Sequence, residues 1–242
     1  MKFMNLWKYY NNKSNQLKYP NVLNHTHEKE MSKSNSKWAY DYVSIHGRDK
    51  DLEPAIAKSV KYSYFYAKNI LRGPFKLGEK IIATNAQCSY LYARDVLDGP
   101  FKLGEKAIAT NAQYSHDYAH TILKGPFKLG EKAIATNDSL ALQYAKWVKG
   151  PFKLGEPIIA KTAFFAFEYA SVVLKGPFPL GEPAIAKSDH RSFAYAKEIL
   201  KGPFKLGEPI IAKDEYYSKE YTQEVLKKDF YLDGKLICKY EG

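Results

Sequence analysis

The sequence predicts an all-α protein, an α-solenoid of tandem 26-residue helix-turn-helix repeats, seven to eight units long. Three observations carry this. Gly-Pro-Phe recurs at Gly73, Gly99, Gly125, Gly150, Gly176 and Gly202, at intervals of 26, 26, 25, 26 and 26 residues. Apolar and small residues before each occurrence keep helical spacing: Ser192, Tyr195, Ala196, Ile199 and Leu200 stand at i, i+3, i+4, i+7 and i+8, one stripe of an amphipathic helix. The terminal copies depart from the consensus, as the caps of a stacked array do.

Each unit opens with a longer helix. Asn, Ser, Thr or Asp precedes it, supplying a side-chain acceptor for its free N–H groups. Lys or Arg usually ends it, opposite the negative end of the dipole, and the following Gly is expected to provide a left-handed stop with Pro behind it. A short second helix follows, as in Gly207-Glu208-Pro209-Ile210-Ile211-Ala212, where Glu and Pro suit the first turn. Neither helix is long enough to stand alone, so stability must come from neighbouring repeats. The fourth full unit lacks one residue before Gly150, which predicts a local tightening or change of pitch. A degenerate copy ends at Glu53-Pro54-Ala55-Ile56-Ala57. The last copy, with Lys228-Asp229-Phe230-Tyr231-Leu232, is expected to cap the C-terminal end of the array, residues 37–242. Residues 1–36, rich in Asn, Lys and Ser, read as a polar arm or as a cap using Phe3, Leu6, Trp7 and Tyr10.

Composition bounds the rest. The chain has 242 residues, 45% of them hydrophobic and 26% charged, enough to build a core. No apolar run suits a membrane span and no h-region suits a secretory signal, so no membrane partner and a cytoplasmic location are expected. Two cysteines make no disulfide framework. The net charge of +11 keeps acidic partners, nucleic acid among them, in view.

The unit Tyr92-Ala93-Arg94-Asp95-Val96-Leu97, with Glu105-Lys106-Ala107-Ile108-Ala109 after the turn, resembles the short tandem two-helix repeats of tailed-phage and giant-virus hypothetical proteins. The resemblance covers residues 37 to about 240. It implies a repeat architecture and a viral origin, with the host cytoplasm as location, and it brings no activity or catalytic residue.

In a repeat scaffold the constant residues build the stack and the variable exposed ones carry recognition. Tyr66, Tyr92, Tyr118, Tyr144, Tyr169, Tyr195 and Tyr221 share one position, and Phe75 to Phe230 another. They could stack bases one per unit, but their place on the stripe assigns them to the core. The variable helix face gives the candidate protein-binding residues Tyr64, Phe65, Lys68, Tyr90, Arg94, His116, His120, Lys146, Phe167, Phe193 and Lys197, a mixture of aromatic and basic groups typical of interfaces. The competing reading packs Tyr64, Tyr90, Phe167 and Phe193 within the stack. A second candidate is the turn row Lys76, Lys102, Lys128, Lys153 and Lys205, which could follow the phosphates of a single-stranded nucleic acid, opposed by a Glu three residues after each. End-to-end self-association is a third possibility. Chemistry is absent from the pattern. His116 and His120 lack a third metal ligand, and Cys88 lacks a base. Gly-Pro-Phe-Lys-Leu-Gly joins two helices rather than forming a phosphate loop. No enzyme, metal or cofactor is expected.

Overall fold

The computed structural model describes residues 25–242, an all-α tandem-repeat solenoid with one small hairpin at its C-terminal end. Phe3, Leu6, Trp7 and Tyr10 lie outside the described residues. Contacts gather the chain into two compact units, one ending at Ala107 and the other running from Ile108 to Gly242. No helix among the described residues is long and apolar enough to cross a membrane. In the first unit a helix at His25–Ser32 packs on the helix Ser36–His46, so the segment before the array is helical at least from His25.

Every full repeat except the last is a long helix followed by a short one. In the second unit the long helices cover 112–123, 138–148, 163–174, 189–200 and 215–226. The short ones are Glu131–Ile134, Glu156–Ile159, Glu182–Ile185 and Glu208–Ile211. The caps act as their residue types require: side chains of Asn111, Asn137, Thr162, Ser188 and Asp214 accept from the backbone N–H three residues on, each such cap contributing about 1 kcal/mol. In the first unit Ser59 and Asn85 do the same. Within each unit, long helices of successive repeats contact one another and pack on the short helices of the array.

The long helices change type along their length. They start as α-helix and widen into π-helix at Tyr66–Leu71, Ala93–Leu97, Tyr118–Leu123, Tyr169–Leu174, Tyr195–Leu200 and Tyr221–Leu226. Among the full repeats, Asp138–Val148, in the unit with the deletion, is the one that stays α-helical to its end. Chain length is the cause. The stripe Tyr and the turn Phe are both anchored in the core, so one extra residue between them must be wound into the helix as a wider turn. The cap bonds count it: the Lys124 N–H reaches Ala119 O, five residues back, whereas the Lys149 N–H reaches Ala145 O, four back. The expected tightening is therefore located inside the fourth long helix.

The left-handed stop does not fall on glycine. It belongs to the residue before it: Arg72, Asp98, Lys124, Lys149, Lys175, Lys201 and Lys227 have φ between 46° and 54°, a region that costs a non-glycine residue roughly 1–2 kcal/mol. Glycine is required at the end of the turn instead. A Cβ on Gly130 would stand 2.5 Å from the Phe127 ring and 2.6 Å from Ser115 Cβ, because the short helix starts against the long helix of its own repeat.

The core lies along this seam. Tyr118, Tyr144, Tyr169, Tyr195 and Tyr221 are buried, as are Phe127, Phe152, Phe178, Phe204 and Phe230. Each Tyr ring meets the Phe of its own repeat at 4.9–5.3 Å between centroids, a contact adding about 0.5–1.5 kcal/mol beyond burial. Ser115, Ser192 and Ser218 donate to the carbonyls of Ile108, Ile185 and Ile211, closing the end of the preceding short helix.

After the last long helix the chain forms a hairpin of β1 (Phe230–Leu232) and β2 (Lys235–Cys238) instead of a short helix. Asp233 and Gly234 both have positive φ, the two-residue turn that matches strand twist. Phe230 still fills the place of the repeat Phe.

The crowding at the second turn glycine makes a direct test. Gly130→Ala should cost about 1–3 kcal/mol through overpacking. Gly125→Ala, whose Cβ would meet only Leu123 O at 3.5 Å, should stay within about 0.5 kcal/mol of the parent. Denaturant unfolding of the two variants measures both.

Candidate functional site

Finding a site in a repeat array begins with what stacking consumes. Within each unit the hydroxyl of a stripe Tyr reaches back to the previous repeat. Tyr144 accepts from the Phe127 N–H at 3.1 Å and donates to Glu131 Oε1 at 2.9 Å. The same two bonds recur at Tyr169 with Phe152 and Glu156, at Tyr195 with Phe178 and Glu182, and at Tyr221 with Phe204 and Glu208. In the first unit Tyr92 bridges Phe75 and Glu79. Burial, together with the neighbouring carboxylate, holds these tyrosine hydroxyls well above their ordinary value near 10.

The turn lysines belong to this arrangement. Lys76, Lys102, Lys128, Lys153 and Lys205 each pair with the Glu three residues on, at 2.9–3.1 Å. The ammonium groups lie in solvent while the carboxylates are largely covered, so each Lys neutralises the Glu that serves the Tyr. In the fifth full unit Pro179 stands in the Lys position, and Glu182 keeps its Tyr195 bond without it. Taken with these glutamates, the five lysines present no excess positive charge for a phosphate backbone.

The candidate helix face divides into two groups. Tyr64, Tyr90 and Phe167 are buried, so these three side chains serve the stack and are not presented to a partner. The Tyr64 hydroxyl donates to Asp95 Oδ2 of the next repeat, which also receives Lys68 and Arg94. Those cations, Arg94 first, hold the Asp95 carboxyl well below the usual carboxylate range. Arg94 also covers the Tyr90 ring. Lys146 pairs with Glu168 and Lys197 with Glu224, again one repeat on. Phe65 is half-buried beside Tyr64.

What remains open is concentrated in the second unit. Phe164, on the fifth full repeat, and Tyr216, on the seventh, are 50% and 64% exposed. Arg191 lies over the rings of Phe164 and Phe167, at 5.2 and 4.9 Å. Tyr217 lies within 5.9 Å of both His190 and Phe193 and holds Tyr216 edge-on at 5.1 Å. One repeat position, occupied by Arg191 and Tyr217, thus sits against the rings of the preceding repeat and steadies the exposed ones. Sequence reasoning passed over Arg191, Tyr216 and Tyr217. The signal was present: Tyr216 is the seventh-repeat equivalent of Phe164.

The groups with chemical potential are dispersed. His116 and His120 stack at 6.2 Å, and His120 meets Trp147 edge-on at 5.4 Å. No set of three metal-ligating side chains comes together among the described residues. Burial pushes the Cys88 thiol up from its ordinary value, which weakens it as a nucleophile. Comparison with protein-family models, curated proteins and solved structures finds no match to the chain.

Two outcomes follow from the tyrosine bridge. Tyr144→Phe keeps the ring but strands the Phe127 N–H and removes one partner of Glu131, costing about 1–3 kcal/mol in a denaturant titration. The second outcome concerns pH. A tyrosine whose pKa is raised on folding stabilises the fold fully below the unfolded value of about 10 and loses that contribution as pH rises through the folded value. Helicity followed against pH should therefore collapse steeply above pH 10, together with tyrosine ionisation by ultraviolet absorbance.

Proposed function

We infer that this protein is a non-enzymatic binding scaffold that engages a host or viral protein through its variable helix face. The observation that carries the reading is two exposed rings on the second unit, Phe164 beneath Arg191 and Tyr216 edge-on to Tyr217. Stacking accounts for the constant Tyr, Phe, Glu and Lys residues and for Tyr64, Tyr90 and Phe167, yet it leaves Phe164 half exposed beneath a guanidinium and Tyr216 more than half exposed beside Tyr217. Tyrosine and arginine surrounded by packed neighbours are the groups that dominate binding energy at interfaces. Phe193, Lys197, His116, His120 and Lys146 then act as their surroundings along that face of the second unit. The phage-type repeat suggests a viral protein that acts in the host cytoplasm, and interference with a host or defence process is a purpose suited to such a scaffold.

Phe164→Ala combined with Tyr216→Ala should weaken capture of the protein partner by about a hundredfold, the effect of two hot-spot truncations of roughly 1.4 kcal/mol each, while the circular dichroism spectrum stays unchanged. Partner bands recovered equally by parent and double variant would remove this face from the reading.

A further inference from the structure

A different feature of the array is left unexplained by stacking and by the aromatic cluster. The turn Gly-Pro-Phe-Lys-Leu-Gly carries a leucine in all six copies. In the second unit Leu129, Leu154, Leu180 and Leu206 are 52–57% exposed. Their neighbours vary from copy to copy, with Lys or Pro before the leucine and Lys or Pro two residues after the following Gly, while the leucine does not. Pro126, Pro151, Pro177 and Pro203 in the same turns are exposed as well. Long helices of successive repeats stack on one another in this unit, and each turn leaves from the same end of its long helix, so these leucines and prolines line one edge.

The cations on that edge are of two kinds. Lys128, Lys153 and Lys205 are occupied by their glutamates. Lys124, Lys149, Lys175 and Lys201 are exposed and have no ion-pair partner among the described residues. They are also the residues held at positive φ, where glycine would relieve the strain. Helix-terminal charge does not require a cation here, since Asp98 makes the same stop in the first unit. The edge therefore combines protruding aliphatic side chains with unpaired positive charge, and in three of its four turns the Glu is already neutralised by a lysine.

We propose that this edge docks on an anionic lipid bilayer, with the leucines entering the interface and the four left-handed lysines meeting acidic headgroups. The combination is the one that holds proteins at such surfaces: apolar side chains that enter the acyl boundary, flanked by lysines attracted to the negative surface potential. The leucines stand out at more than half exposure instead of walling a groove, which suits a deformable apolar layer. The Phe rings of the same turns are buried, so the edge offers no stacking platform for nucleic-acid bases. The absence of a spanning helix does not bear on a contact of this kind.

The test is flotation of the full chain with vesicles of phosphatidylcholine alone and of phosphatidylcholine mixed with phosphatidylserine. The parent should float with the mixed vesicles only, and less at high salt. Replacing Leu129, Leu154, Leu180 and Leu206 by Ser should lower the bound fraction by about tenfold or more with helicity unchanged. Replacing Lys124, Lys149, Lys175 and Lys201 by Asn, which accepts left-handed backbone, should do the same. A parent that stays with the unbound fraction, or a leucine variant that floats as the parent does, would overturn the proposal. So would capture of the parent by an acidic polypeptide such as polyglutamate with no flotation, which would reassign the edge to a protein.

Discussion

The structure depends on a carboxylate that is covered by protein and yet belongs to no chemistry. Each repeat places a Glu at the start of its short helix, and the next repeat reaches back with a tyrosine hydroxyl. That one hydroxyl satisfies the Glu and the otherwise unbonded Phe N–H in the bend. A largely buried carboxylate without partners would be expensive, so the bond is obligatory once the stack closes. It also fixes register, because the hydroxyl must meet both a donor and an acceptor belonging to the preceding unit. Hydrophobic burial drives the repeats together; the tyrosine bridge decides how they meet.

From that constraint the local irregularities follow. With Tyr and Phe pinned, the residue count between them sets the helix type, and the π-turns and the single all-α helix are two answers to the same boundary conditions. The strained cation before Gly-Pro is the helix stop that this geometry leaves, and the close approach of Gly130 to Ser115 and Phe127 is what lets the short helix lie near enough for its Glu to meet the tyrosine.

Much of this was readable from residues. The period, the helix pair, the caps and the burial of the Tyr and Phe positions come directly from spacing, since neither helix has another way to hide its stripe. The pairing of Lys128 with Glu131 was legible as a neutralising tendency. The partnership of Glu131 with Tyr144 was not, because it joins residues 13 apart on different helices. The stop was misplaced by one residue: glycine is the usual left-handed residue, and nothing in Lys124-Gly125-Pro126 announces that Lys takes the strain. The closing hairpin was missed although Leu232-Asp233-Gly234-Lys235 is a strong turn signal, because the degenerate last copy was read only as a cap, without a form of its own. The aromatic positions divide in a way that spacing does not reveal, with Tyr64, Tyr90 and Phe167 buried and Phe164 open. Spacing locates Phe167 and Phe164 on similar sides of a helix, and their different burial becomes visible only once the next repeat is packed beside them.

The fourth full repeat has a consequence for how such a chain can change. Loss of one residue from a helix normally rotates everything beyond it by about 100° and destroys the packing downstream. Here the loss is absorbed within a single turn, between Tyr144 and Phe152, and Tyr169 in the next copy finds its Phe and Glu as usual. Each helix end is thus a reservoir of one residue's slack. A gene made of near-identical copies gains and loses codons readily, and in this architecture a one-codon deletion at that place is a local edit that the following copies never register.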